Sequence, residues 1–96
     1  MSDRCTWCGA AVEDGYRVYE EGRQAVFCRL EHVVPWAIRG AAWEPGGAAE
    51  PAGACAWCDE PARILLVRSR GEHRVRDGFC TVEHLLAWAK AGGRYR

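Results

Sequence analysis

Cys5-Thr6-Trp7-Cys8 and Phe27-Cys28-Arg29-Leu30-Glu31-His32 decide the fold of this chain, because the pattern returns as Cys55-Ala56-Trp57-Cys58 and Phe79-Cys80-Thr81-Val82-Glu83-His84. The two copies use all six cysteines and two of the three histidines. Each copy offers three thiolates and one imidazole, a donor set that suits tetrahedral zinc and leaves no coordination position for water, as in structural sites. Two Zn2+ ions are therefore expected, one on Cys5, Cys8, Cys28 and His32, the other on Cys55, Cys58, Cys80 and His84. The spacing has a physical logic. A Cys-x2-Cys turn presents two sulfurs from one tight loop, and Cys-x3-His at a helix start places the other two donors on one face.

Three disulfides are the competing account of six cysteines, but a disulfide framework gives no reason to repeat a Cys-x3-His pair. Thioredoxin-like chemistry at the Cys-x2-Cys pairs needs a βαβ context that the sequence lacks. Size points to metal as well. The 96 residues divide into halves of a length that seldom folds without a metal or disulfides. Zinc binding worth ~10 to 16 kcal/mol per structural site offsets much of the ordering entropy, so the metal-free chain is expected to be largely unfolded. The formal charge is zero, which six thiolates and two Zn2+ shift to about −2. Residues 1–48 hold five Arg against seven acidic residues, and residues 49–96 hold eight Lys and Arg against six, so any affinity for phosphate belongs to the second half.

The duplication extends beyond the ligands. Phe27 matches Phe79, Val33-Val34 matches Leu85-Leu86, Trp36 matches Trp88, Gly40 matches Gly92, and Trp43 matches Tyr95. Residues 1–43 and 55–96 are the two units, and the Gly-, Pro- and Ala-rich residues 44–54 read as a linker with nothing to bury. In each unit a β-hairpin follows the knuckle: Tyr16–Tyr19 and Gln24–Phe27 about a turn at Gly22, then Ile64–Val67 and Arg74–Arg76 about a turn near Gly71, with a second turn at Asp77-Gly78. A helix closes each unit, running from Cys28 with Val33, Val34, Ala37 and Ile38 at helical spacing and Pro35 near its start to an end at Gly40, and from Cys80 with Leu85, Leu86 and Ala89 at helical spacing to a stop at Gly92-Gly93. With Cys28 and Cys80 as N-caps, Glu31 and Glu83 fall at the third helical position, where a carboxylate favours the helix dipole.

Knuckle, hairpin and helix carrying the last two ligands resemble the treble-clef arrangement. The Cys-Trp-Cys knuckles at Cys5, Trp7, Cys8 and Cys55, Trp57, Cys58, followed by Phe27-Cys28 with His32 and Phe79-Cys80 with His84, are similar to the TRASH, MYM and FCS group of zinc fingers. The fourth ligand departs from that group, where it is commonly Cys. The resemblance implies a small, metal-stabilised α+β protein of two tandem treble-clef zinc fingers, and roles in protein interaction, nucleic-acid binding or metal sensing and handling.

The expected function is a non-catalytic zinc-binding module for a macromolecular partner, foremost a protein. The alternatives are nucleic acid, held by a basic strip of Arg63, Arg68, Arg70, Arg74 and Arg76 on the second hairpin, and metal sensing or handling. Trp36 and Trp88 are expected in the core, Trp7 and Trp57 as lids on the metal sites, Trp43 and Tyr95 against the facing unit, and His73 on the surface. Glu31-His32-Val33-Val34-Pro35 is reminiscent of a segment of HNH nucleases, but a closed four-ligand site has nowhere to place a reacting phosphate, so no enzyme is expected. No apolar run is long enough to span a bilayer, and a cytoplasmic location without membrane association is expected.

Overall fold

A computed structural model of the chain describes residues 3–46 and 53–92, excluding the side chains of Asp3 and Arg70. Gly93, Tyr95 and linker residues 47–52 lie outside that description. The elements run β1 (Asp3–Arg4), β2 (Ala11–Val12), β3 (Gly15–Glu20), β4 (Arg23–Phe27), a 3-10 turn (Leu30–His32), α1 (Val33–Ile38), β5 (Glu44–Pro45), β6 (Ile64–Arg70), β7 (His73–Phe79) and α2 (Val82–Lys90). The fold is α+β, built on an antiparallel sheet of order β5-β4-β3-β6-β7, with β1 and β2 forming a small ribbon.

The two hairpins form where the β-prone runs predict them. β3 and β4 pair from Tyr16 opposite Phe27 to Glu20 opposite Arg23. Their turn places Glu21 at φ 35° and Gly22 at φ 80°, the paired positive values of a tight hairpin turn. β6 and β7 pair from Ile64 opposite Phe79 to Arg70 opposite His73, with Gly71 at φ 61° in the turn. Gly15 opens β3 at φ 155°, where a Cβ would lie 2.5 Å from the Phe27 carbonyl oxygen, so a side chain there would force β3 and β4 apart.

The two units share one sheet. β3 pairs with β6 along five residues, from Gly15 opposite Ser69 to Tyr19 opposite Leu65. Two-stranded hairpins are marginal alone, and joining them through β3 and β6 buries one edge of each. Alternation then assigns the faces. Val18, Ala25, Phe27, Ile64, Leu66 and Phe79 lie on one face, fully buried beneath the helices. Trp36 of α1 meets Phe27 edge-on at 5.1 Å, and Trp88 of α2 tilts over Phe79 at 5.2 Å. Both tryptophans occupy the core as their spacing predicts, and α1 and α2 pack on each other above the sheet. One continuous hydrophobic cluster contains residues of both units.

Four local expectations are corrected. Asp77 and Gly78 do not turn; they continue β7, because Gly78 pairs with Leu65 on one side and bridges Cys55 on the other. Glu44 and Pro45, read as linker, add β5 to the exposed edge of β4. Trp43 packs on Trp36 of its own unit at 5.0 Å rather than on the facing unit, and the Arg23 guanidinium lies 4.8 Å above it. The fourth concerns the helix caps. The cap of α2 is Thr81, whose hydroxyl accepts a hydrogen bond from the His84 N–H at 3.2 Å, and the first unit passes through the 3-10 turn behind Arg29, which makes no side-chain cap bond. Glu31 and Glu83 remain in the first turns but not at the third position counted from a cysteine cap.

Leu66 sits at the seam, opposite Val18 of the first unit and Asp77 of the second, with no exposed surface. Leu66→Ala is expected to cost about 2–5 kcal/mol and to lower the denaturation midpoint of both units together. Coincident transitions in tryptophan fluorescence and far-ultraviolet circular dichroism check this, and two separated transitions would contradict a shared core.

Candidate metal centres

Each centre is assembled by a knuckle docked on the sheet and a ligand pair beyond it. In the first unit Cys5 N–H donates to the Ala10 carbonyl at 2.8 Å and Gly9 N–H to the Cys5 carbonyl at 2.9 Å. Residues fifty positions on repeat both bonds, Cys55 to Glu60 at 2.6 Å and Asp59 to Cys55 at 3.0 Å. Gly9 and Asp59 both take positive φ, 79° and 65°, to close the loop. The knuckles then dock alike: Thr6 N–H donates to the Val26 carbonyl at 2.6 Å, and Ala56 N–H to the Gly78 carbonyl at 2.7 Å. The Thr6 hydroxyl also accepts from Val26 N–H at 2.9 Å. These bonds carry the first two sulfurs of each site to the end of a strand whose next residue is Cys28 or Cys80.

The eight predicted ligands come together as two groups of four, Cys5, Cys8, Cys28, His32 and Cys55, Cys58, Cys80, His84, with donor atoms within 4.8 Å of one another in each. In the first, Cys8 Sγ lies 3.6 Å from Cys28 Sγ, and His32 Nδ1 lies 3.6 Å from Cys5 Sγ and 3.3 Å from Cys28 Sγ. In the second the corresponding separations are 3.5, 3.7 and 3.0 Å. A tetrahedral ion about 2.3 Å from each sulfur sets sulfurs about 3.8 Å apart, so both groups are close to the spacing that Zn2+ requires. The two centres are consistent with two zinc ions. With Nδ1 turned into each group, Nε2 carries the imidazole proton in the metal-bound form.

Electrostatics supports the same fit. Burial pushes the Cys5 thiol up, but the N–H groups of Cys8, Cys28 and Trp7 and the His32 ring outweigh it and bring Cys5 down to about 6. Burial and the neighbouring Cys8 and Cys5 sulfurs push Cys28 up to about 11. Cys55 and Cys80 repeat the division at about 6 and about 11, the first lowered against burial by the N–H groups of Trp57, Cys80 and Cys58 and by His84, the second raised by burial and by Cys58 and Cys55. Sulfurs this close do not all ionise without a cation among them, which is the charge that Zn2+ supplies.

The centres differ in exposure. Cys8 is exposed and Cys58 half-buried. Trp57 packs against the core as a partial lid, whereas Trp7 is 39% exposed, with the Arg39 guanidinium 5.8 Å from its ring. Thr81 positions the helix that carries His84, and a threonine just ahead of an apolar helical run is itself a cap signal in the sequence.

The predicted arginine strip divides. Arg68 lies on the helix side of the sheet, 5.8 Å from the Tyr16 ring, Arg63 precedes β6, and Arg74 and Arg76 lie on the opposite face, in register with Ser69 and Val67. Arg17 joins that open face from the first unit through its pairing with Val67, beside Tyr19. Arg70 pairs with His73 through the backbone, and His73 is exposed at the start of β7. Among the described residues no helix is long and apolar enough to cross a membrane. Comparison of the chain with family models, with curated proteins and with solved structures returns no match.

The raised Cys28 and Cys80 set the sign of a pH effect. Both keep their protons near neutrality up to about 11, so metal binding must expel them, and affinity falls as pH falls. Competition with a chromophoric chelator is expected to find two zinc ions per chain, each bound about tenfold or more tightly per pH unit gained across neutrality. Cys80→Ser should leave one ion and loosen the shared core, read as a lower denaturation midpoint.

Proposed function

We propose that the chain is a pair of tandem treble-clef zinc fingers, similar to the TRASH, MYM and FCS group, that acts as a non-catalytic cytoplasmic binding module for a protein partner. Closed Cys3His sites favour a structural use of zinc, since four protein donors complete the tetrahedron. The observation that carries the protein reading is the surface beside the first centre. Trp7 is 39% exposed, Ile38 at the end of α1 is 61% exposed, and Arg39 reaches over Trp7. Tryptophan and arginine are the side chains that most often dominate protein interfaces, and exposed indole and isoleucine gain by being covered.

A second reading rests on Arg17, Arg74 and Arg76 flanking Val67 and Ser69 on the open sheet face, with Tyr19 beside them. Three cations and an aromatic ring suit a single-stranded nucleic acid, whose phosphates they would neutralise. Glu44 at the far edge and Glu13 and Asp14 at the end of β3 flank this face and weaken its field.

Capture from source lysate separates the two. The zinc-loaded chain is expected to retain a protein after nuclease treatment and to lose about thirtyfold or more in affinity in the double variant Trp7→Ala, Ile38→Asp, whose residues lie outside the core. Binding abolished by nuclease, sensitive to Arg74→Ala and Arg76→Ala, and falling with salt at a logarithmic slope of about −2 would establish the nucleic-acid reading instead.

A further inference from the structure

The two centres share a ligand set but not an environment. In the second, Trp57 is partly buried against the core, Cys58 is half-buried, and His84 stands on a nine-residue helix capped by Thr81. In the first, Trp7 is turned outward, Cys8 is exposed, and His32 ends a 3-10 turn leading to a helix of six residues that contains Pro35. The neighbouring sulfur pairs have nearly equal spacing, 3.6 Å for Cys8 and Cys28 against 3.5 Å for Cys58 and Cys80. Proximity therefore does not distinguish the sites; access and the rigidity of the helical arm do.

We infer that Cys8 is a site of oxidative modification by peroxides, and that its reaction with Cys28 opens the first metal centre while the second stays closed. The Cys8 thiolate attacks the peroxide O–O bond, forming Cys8 sulfenic acid and releasing one hydroxide. The Cys28 thiolate, 3.6 Å away, attacks the sulfenic sulfur, forms the Cys8–Cys28 disulfide and expels a second hydroxide. Solvent protonates both hydroxides. Two electrons pass from the two sulfurs to the peroxide, which leaves as two waters. Cys5 and His32 remain as two donors of the original four, too few to hold the ion. Zinc release unties the knuckle that carries Trp7 from the helix that carries Ile38 and Arg39. The consequence for partner binding rests on the function proposed above; the oxidation does not.

The test treats the zinc-loaded full chain with one equivalent of hydrogen peroxide, follows released zinc with a chelating dye, and maps thiols and disulfides by alkylation and peptide mass spectrometry. The first ion is expected to leave about tenfold or more faster than the second, with Cys8–Cys28 as the disulfide and Cys55, Cys58 and Cys80 recovered as thiols. Equal release rates, or a first disulfide between Cys58 and Cys80, would overturn the inference. Cys8→His keeps four donors and removes the reactive sulfur, so it should hold two ions and lose the fast phase; a fast phase that survives in it refutes the role of Cys8. Should that variant hold one ion only, the wild-type rates and disulfide map decide alone.

Discussion

The tie between a knuckle and the start of a helix, made through four donors, is the constraint on which the structure depends. In each unit the knuckle binds the sheet edge through backbone hydrogen bonding at Val26 or Gly78, and the last two ligands follow within six positions. Without a cation the sulfurs of each group oppose one another, visible in the raised Cys28 and Cys80 beside the lowered Cys5 and Cys55. A bound Zn2+ converts that repulsion into the force that fixes the helix over Phe27 or Phe79. The aromatic contacts are then formed by a helix that has little freedom to be elsewhere.

Duplication solves a second problem. A single hairpin with one helix buries one face of two strands and exposes both edges, a poor return for a unit of this length. Pairing β3 with β6 removes one edge from each hairpin and joins two small cores into one, so that Val18 and Leu66 become central residues. The remaining edge of β4 is partly covered by β5, and Cys55 bridges Gly78 on the free side of β7. Metal and sheet act at different scales: the ions organise each unit, and the seam organises the pair.

Much of this was legible because ligand spacing and aromatic repeats are local signals. The eight ligands, the Gly22 turn, the two hairpins, and the burial of Trp36 and Trp88 all follow from periodicity within one copy. The seam was not legible, because nothing in the local pattern of β3 or β6 says which strand completes the sheet; that choice belongs to the whole core. Asp77-Gly78 misled for a related reason. It is a strong hairpin dipeptide taken alone, yet its backbone is claimed on both sides, by Leu65 and by Cys55. The caps are not repeated because the copies diverge at Thr81 and Arg29, and only the threonine can accept a bond from the helix.

Divergence between the copies has a physical consequence of its own. A shared core lets stability gained in one unit support the other, since neither α1 nor α2 packs alone. The second unit holds the longer helix, the side-chain cap and the more buried knuckle tryptophan, features that each add rigidity. The first holds the shorter, uncapped helix and places Trp7, Ile38 and Cys8 in solvent. Exposed indole and isoleucine are costly in a unit that must stand alone, and tolerable in one anchored through five residue pairs of β-sheet to a sturdier neighbour. The asymmetry thus places the exposed aromatic, aliphatic and sulfur groups in the first copy and the better supported helix in the second.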